Sequence, residues 1–178
     1  MDVTDATFKT DVLDRSANET VVVDFWADWC GPCKALAPVL EEATRERNVT
    51  LAKLDTDANQ QTAAEYGIRG IPAVKAFRNG HVVAEFVGAI PPAQVAAFLD
   101  ELTKPPVAES LEDDPEVTEA LRRGDYESAL ETLLARVEAA ASPDRNATRD
   151  LMVQIFNELG QEHPLASSYR RRLAAALY

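Results

Sequence analysis

The sequence predicts an α/β domain followed by a small all-helical domain. Three observations carry that prediction. First, Val21-Val22-Val23, with Phe25 and Trp26, is an apolar, Val-rich run of the kind that forms a central strand. It leads into Trp29-Cys30-Gly31-Pro32-Cys33-Lys34, where Pro32 suits a first helical turn because its missing N–H has no intrahelical partner there. Second, Asn79-Gly80 separates two strand-like segments and is a strong hairpin signal, since both turn positions need positive φ. Third, helical periodicity takes over after Pro105-Pro106. Residues 1–104 are expected as the first domain, 105–114 as a linker and 115–178 as the second domain.

Taken in order, Asp5 to Arg15 reads as a short amphipathic helix with Phe8, Val12 and Leu13 on one side and Thr4 or Asp5 as its cap. The helix opened near Pro32 runs to about Arg47, with Leu36, Val39, Leu40 and Ala43 as its buried stripe. Pro38 lies inside it and is expected to kink it. Val49 to Leu54 alternates as a strand that includes Lys53. A short helix at Asn59 to Tyr66 ends at Gly67, a left-handed cap. Pro72 opens the next strand, because proline cannot sit in the middle of one. Ala73–Arg78 and His81–Val87 flank the Asn79-Gly80 turn, which makes His81 a surface strand position. Pro92 to Leu102 closes the domain as a helix with Val95, Phe98, Leu99 and Leu102 on its apolar face.

Pro105-Pro106 favours an extended backbone, and Glu109, Glu112, Asp113 and Asp114 continue that linker. Pro115 to Arg123 is a short helix. Gly124-Asp125-Tyr126-Glu127-Ser128-Ala129-Leu130 opens a stronger one, with Tyr126, Ala129, Leu130, Leu133, Leu134 and Val137 as apolar positions. Ser142-Pro143-Asp144 combines a cap, a first-turn proline and a first-turn acid. The helix it starts carries Met152, Ile155, Phe156 and Leu159 and stops at Gly160. His163-Pro164 begins the last helix, with His163 flanking its end and Leu165, Tyr169, Leu173 and Leu177 spaced four apart. That stripe reads as core-facing, with a docking face for a partner as the second reading. Arg170-Arg171-Arg172 reads as a solvated turn, with contact to an acidic partner or to the chain's own first domain as its alternatives.

Composition narrows the function classes. The apolar share of 46% is ordinary for a globular protein, so a real core can form. A net charge of −12 argues against nucleic acid and anionic membranes as partners. No apolar run reaches the roughly 18 residues of a transmembrane helix. Met1-Asp2-Val3-Thr4-Asp5 is acidic and lacks the apolar region of a signal peptide, and both cysteines sit in one motif, which suits a reducing compartment. A cytoplasmic location is therefore expected.

Cys30 would stand at a helix N-terminus, where free N–H groups and the macrodipole favour an anion. The anion there is a thiolate, the reactive form of cysteine. Asp24 is the anomaly in its strand, since a buried carboxylate is costly unless it is paired or kept protonated. A lone Cys-x-x-Cys can also be half of a structural zinc site. Zinc takes about four N or S ligands. The chain holds only Cys30, Cys33, His81 and His163, so no metal is expected.

Trp29-Cys30-Gly31-Pro32-Cys33-Lys34, after a strand carrying an Asp six residues before the first Cys, closely resembles thioredoxin. Gly70-Ile71-Pro72 resembles that family's cis-proline loop. The resemblance implies the thioredoxin fold, a central mixed sheet of four to five strands flanked by helices. Four strands fit better here, because little chain precedes the first helix. The phrase Gly124-Asp125-Tyr126-Glu127-x-Ala129-Leu130 resembles the middle of a tetratricopeptide repeat. Three further stretches make the chain similar to the chaperedoxins, thioredoxin-domain co-chaperones with a C-terminal tetratricopeptide region: Ala6-Thr7-Phe8, the run from Gly70 to Gly80 continuing to Gly88-Ala89-Ile90-Pro91, and Ala147 to Leu151 with Tyr169 to Tyr178. The repeat region here is shorter than that family's.

What the resemblance implies is dithiol–disulfide exchange. Cys30, exposed, attacks a substrate disulfide, and the more buried Cys33 resolves the mixed disulfide. Two cysteines at this spacing can reach disulfide geometry. A pKa of ~7 for the attacking thiol and a potential of about −270 mV are carried over from thioredoxin itself, the reference case for this motif. Asp24 would exchange a proton with Cys33; its alternative is a structural carboxylate bonded to a nearby donor. Lys53 matches the lysine beside that Asp; its alternative is a solvated strand residue. Trp29, Gly31, Pro32, Ile71 and Pro72 would form an apolar lip around Cys30, with the Ile71 backbone pairing with a substrate strand. No bound cofactor is implied; electrons would come from thioredoxin reductase and NADPH. The implied partners are protein disulfides and thioredoxin reductase. A second reading, a chaperone or adaptor, adds a chaperonin and unfolded clients, with the cysteine pair protecting client thiols.

Overall fold

Strand β1, Val21–Trp26, is the centre of the first unit in the computed structural model, which describes residues 1–111, 114–139, 144–160 and 163–177. The elements that follow are helix α1 (Gly31–Glu46), strand β2 (Thr50–Asp55), helix α2 (Gln60–Glu65), strands β3 (Ala73–Arg78) and β4 (His81–Val87), and helix α3 (Pro92–Leu102). The sheet has four strands in the order β2-β1-β3-β4. The β1–β2 pair is parallel, joined by the α1 crossover, whereas β1–β3 and β3–β4 are antiparallel. This is the mixed, four-stranded thioredoxin fold that the sequence predicts.

Period-two alternation along β1 sorts its side chains between two cores. Val21, Val23 and Phe25 pack with Phe8, Val12, Leu54 and Phe77 on one face of the sheet. Val22 packs with Leu36, Leu40, Val74, Val95 and Leu99 on the other. Asp24, two residues after Val22, falls on the second face with α1 and α3. The Asn79-Gly80 turn has φ of 51° and 76°, the left-handed pair a two-residue hairpin requires. Between Ala76 and Phe77 the β3–β4 register shifts by one residue.

The start of the chain differs from its predicted form. Lys9–Asp14 is a π-helical turn and Arg15–Ala17 a 3-10 turn, in place of one helix from Asp5. The Asp5 cap serves another element: its carboxylate accepts the Thr62 N–H of α2 at 2.9 Å, while Asn59 Oδ1 accepts the Asp5 N–H. Before it, the chain lies along the β2 edge: Val3 N–H donates to the Lys53 carbonyl at 2.9 Å, and Lys53 N–H to the Met1 carbonyl at 2.8 Å. Helix α1 continues unbroken through Pro38.

The second unit, Pro105–Tyr178, consists of helices and short connections among its described residues. It contains α4 (Val107–Ser110), α5 (Pro115–Arg122), α6 (Tyr126–Ala139), α7 (Asp144–Leu159) and α8 (Pro164–Leu177). The extended backbone expected of Pro105-Pro106 is present at Pro106, with φ −52° and ψ 148°. The predicted linker then turns helical, because Val107 and Ala108 bury themselves in this unit's own core and Glu158 accepts the Val107 N–H at 2.7 Å. Glu112, Asp113, Ser142 and Pro143, named above, lie outside the described residues. The α8 stripe faces the core: Tyr169 and Leu173 are buried, with Leu165 and Leu177 packed at the core's margin. The arginine run is used internally at two of its three positions. Arg172 bonds both oxygens of Glu131, and Arg170 lies over the Phe156 ring. His163 Nδ1 accepts the Leu165 N–H at the start of α8. Among the described residues, no helix is long and apolar enough to cross a membrane.

Candidate active site

Sheet topology gathers the site at one end of the strands. The C-terminal end of β1 leads into the cysteine turn. Because β2 is parallel to β1, its C-terminal end and the Thr56-Asp57 turn lie at the same end. Because β3 runs the other way, its N-terminal end, preceded by Ile71-Pro72, arrives there too, with the C-terminal end of β4.

Cys30 and Cys33 are joined by a disulfide with Cα atoms 5.3 Å apart. Cys30 is the N-cap of α1, with Pro32 in the first turn, and its sulfur accepts the Cys33 N–H at 3.2 Å. A backbone donor at a helix N-terminus thus already points at the sulfur, the arrangement that favours a thiolate once the bond is reduced. Cys30 itself is not exposed as expected: it is 3% accessible, close to the 2% of Cys33. The residues around it, Trp29, Gly31 and Pro32, are the exposed ones. Trp29 is 71% exposed, and its indole N–H donates to Asp57 Oδ2 at 2.8 Å. Ile71 is half-buried and Pro72 buried, so Pro72 stands behind the lip rather than on it. The Ile71–Pro72 peptide is cis, and the Pro72 carbonyl accepts the Gly88 N–H at 2.7 Å.

Asp24 is 1% exposed. Its Oδ1 and the indole nitrogen of Trp26 are buried without a hydrogen-bond partner among the described residues. Burial, the largest cause, pushes the Asp24 carboxyl from 3.8 up to about 6; Lys53 pulls it down and Glu41 pushes it further up. Lys53 stands directly opposite Asp24 in the β1–β2 register. Its ammonium is paired with Glu41 Oε1 at 2.9 Å and lies 5.8 Å from the Trp26 ring centroid. Lys53 is therefore a partly buried, paired residue and not a freely solvated one. Among the described residues, no group of three or more His, Cys, Asp or Glu side chains is placed to hold a metal ion.

Three residues at this end were not among the predicted ones. Asp57 holds the Trp29 indole, and Glu41 holds Lys53. Val87, at the end of β4, is 66% exposed and sits opposite Ala73, within 4.0 Å of where a Cβ on Gly70 would lie. A hairpin register counted from Asn79-Gly80 brings β4 to this end. The one-residue bulge decides that Val87 reaches Ala73.

The thioredoxin family model matches residues 1–101. The chain belongs to the thioredoxin family. A tetratricopeptide repeat model matches residues 115–178. The thioredoxin of Pseudomonas aeruginosa is 50% identical over 102 residues, covering 56% of this chain and 93% of that protein. Thioredoxin C-2 of Corynebacterium nephridii is 50% identical over 103 residues, covering 57% and 94%. A thioredoxin of Mycobacterium tuberculosis is 52% identical over 103 residues, covering 57% and 84%. The N-terminal unit is thus a thioredoxin domain with a redox-active Cys30–Cys33 pair, and the protein is a thiol–disulfide oxidoreductase able to reduce protein disulfides. It carries a tetratricopeptide-like helical region after that thioredoxin domain.

Proposed function

We propose that this protein reduces disulfides in other proteins through Cys30 and Cys33, and that its helical region couples the reaction to protein quality control, as in the chaperedoxins. The observation that carries the chemistry is the cysteine pair on the first turn of α1, with a backbone N–H already aimed at the Cys30 sulfur. In the reduced protein, the Cys30 thiolate attacks one sulfur of the substrate disulfide. A mixed disulfide forms and the first substrate thiolate leaves, taking a proton from solvent. Cys33 then passes its proton to Asp24 and attacks Cys30. The Cys30–Cys33 bond forms and the second substrate thiolate leaves, protonated from Asp24 through water. Two electrons and two protons pass from the dithiol to the substrate. Lys53 stands beside Asp24 as the nearby cation. Trp29, Gly31, Pro32 and Ile71 present the apolar lip, Pro72 supports it from behind, and Val87 extends it.

Thioredoxin reductase, drawing on NADPH, returns the pair to the dithiol in the cytoplasm. The alternative role, an adaptor that holds unfolding clients and delivers them to a chaperonin, is supported by the tetratricopeptide match over residues 115–178. Deleting 105–178 separates the two roles. The coupled reading predicts intact disulfide reduction with loss of protection against client aggregation. Unchanged protection sends the helical region to some other task.

A further inference from the structure

Lys53 is placed to neutralise Asp24, since the two are direct partners on β2 and β1 and share a face of the sheet. Its ammonium nevertheless goes to another carboxylate. Lys53 Nζ is 2.9 Å from Glu41 Oε1, and no ion pair joins it to Asp24 among the described residues. Asp24 Oδ1 is left buried without a partner. The lysine–glutamate pair lies nearer solvent, with side chains 26% and 46% exposed. Glu41 belongs to the helix that carries Cys33. Cys33, Ala37 and Glu41 are spaced i, i+4, i+8, so they run along one side of α1 from the cysteine turn to the lysine.

We propose that Glu41 is a positioning residue for proton exchange at the cysteine pair: it holds the Lys53 ammonium in a pair near the surface and so leaves Asp24 a carboxyl free to take up and return a proton. This rests on the reading of Asp24 as the proton acceptor of Cys33. The charged groups that act on Asp24 are Lys53 from β2 and Glu41 from α1. On its other side β3 places Val74 opposite it. The acids of α3 are engaged elsewhere, Asp100 with Arg47 and Glu101 with Lys104. The N-terminal segment brings Asp2, exposed, into backbone register with Lys53. Neutralising Glu41 removes a negative charge that pushes the Asp24 carboxyl up, and it frees Lys53 to move toward Asp24. Both effects lower it.

The test is the Asp24 titration, followed by carboxyl-carbon NMR in the full-length oxidised protein for wild type, Glu41→Gln, Lys53→Met and the double variant. Glu41 is half-exposed on a helix surface, so Glu41→Gln keeps the fold. The Glu41→Gln midpoint is expected to fall by about one pH unit and the Lys53→Met midpoint to rise. The Glu41→Gln shift is expected to be clearly smaller in the Lys53→Met background. An unmoved midpoint in Glu41→Gln, or an equal shift with and without Lys53, overturns the proposal. The underlying reading is tested separately. A pH profile of disulfide reduction that is identical in wild type and Asp24→Asn overturns the Asp24 assignment and, with it, Glu41's part in the reaction, whatever the NMR midpoints show.

Discussion

Asp24→Asn should make the first domain more stable at neutral pH, and the size of the gain follows from burial. In the folded protein the carboxyl titrates near 6, against 3.8 for an ordinary aspartate, so the folded state binds its proton more tightly than the unfolded chain. Between those two values the folded state holds more protons. Stability therefore falls as pH rises from about 4 to about 6 and stays reduced above it. The full penalty at pH 7 corresponds to about 3 kcal/mol, at ~1.4 kcal/mol for each pH unit of difference. Asparagine has nearly the same shape without the charge and avoids that penalty. The assay is urea unfolding of the oxidised full-length protein at a series of pH values, read by tryptophan fluorescence. Trp26 and Trp29 are the chain's two tryptophans, so the signal reports the first domain alone. Comparing variant and wild type at each pH cancels the other carboxylates. The expected advantage of the variant is about 2–3 kcal/mol at pH 7, shrinking below pH 6 and vanishing near pH 4. No gain at pH 7, or a gain that persists undiminished at pH 4, refutes the reasoning.

Two further predictions concern different parts of the chain. Trp29→Ala should leave urea stability of the first domain within ~0.5 kcal/mol, since the side chain is 71% exposed, yet lower kcat/KM for protein disulfides roughly tenfold; steady-state reduction of a protein disulfide against a small disulfide distinguishes lost recognition from lost chemistry. Arg145→Ala should cost the helical unit about 1–2 kcal/mol, because the guanidinium bonds the Val137 carbonyl of α6 and the Ala176 carbonyl of α8. Circular dichroism should show that loss while the tryptophan transition stays in place.

Much of the fold was legible because periodicity and punctuation agreed. The hairpin could be read because Asn79-Gly80 meets a requirement few other pairs meet, and helix ends at Gly67 and Gly160 because the backbone there has positive φ. The first turns of the chain could not be read as they are. Their capping groups bond to α2, a partner more than fifty residues away. The helical turn at Val107–Ser110 is not legible in the sequence, because the composition is that of a linker, whereas its two apolar residues are claimed by a core built from later helices. In the candidate site, Cys30, Cys33 and Asp24 stand out in the sequence by type and spacing. Glu41 did not: its spacing of eight from Cys33 places it on that side of α1, but only the α1–β2 packing brings it to Lys53. Val87 depended on a bulge, which adds one residue to β4 and carries it to the Pro72 end of β3.

The central claim is that Cys30 attacks and Cys33 resolves. The measurement that tests it most directly is covalent capture with the full-length Cys33→Ser variant. That protein can attack a disulfide but cannot release it, so incubation with a disulfide-bonded protein should yield a mixed disulfide. Mass spectrometry of the trapped species should place the link at Cys30. A trapped species is expected with Cys33→Ser and not with Cys30→Ser. Absence of any covalent adduct with Cys33→Ser, or capture at Cys33 in the Cys30→Ser variant instead, contradicts the assigned order of attack.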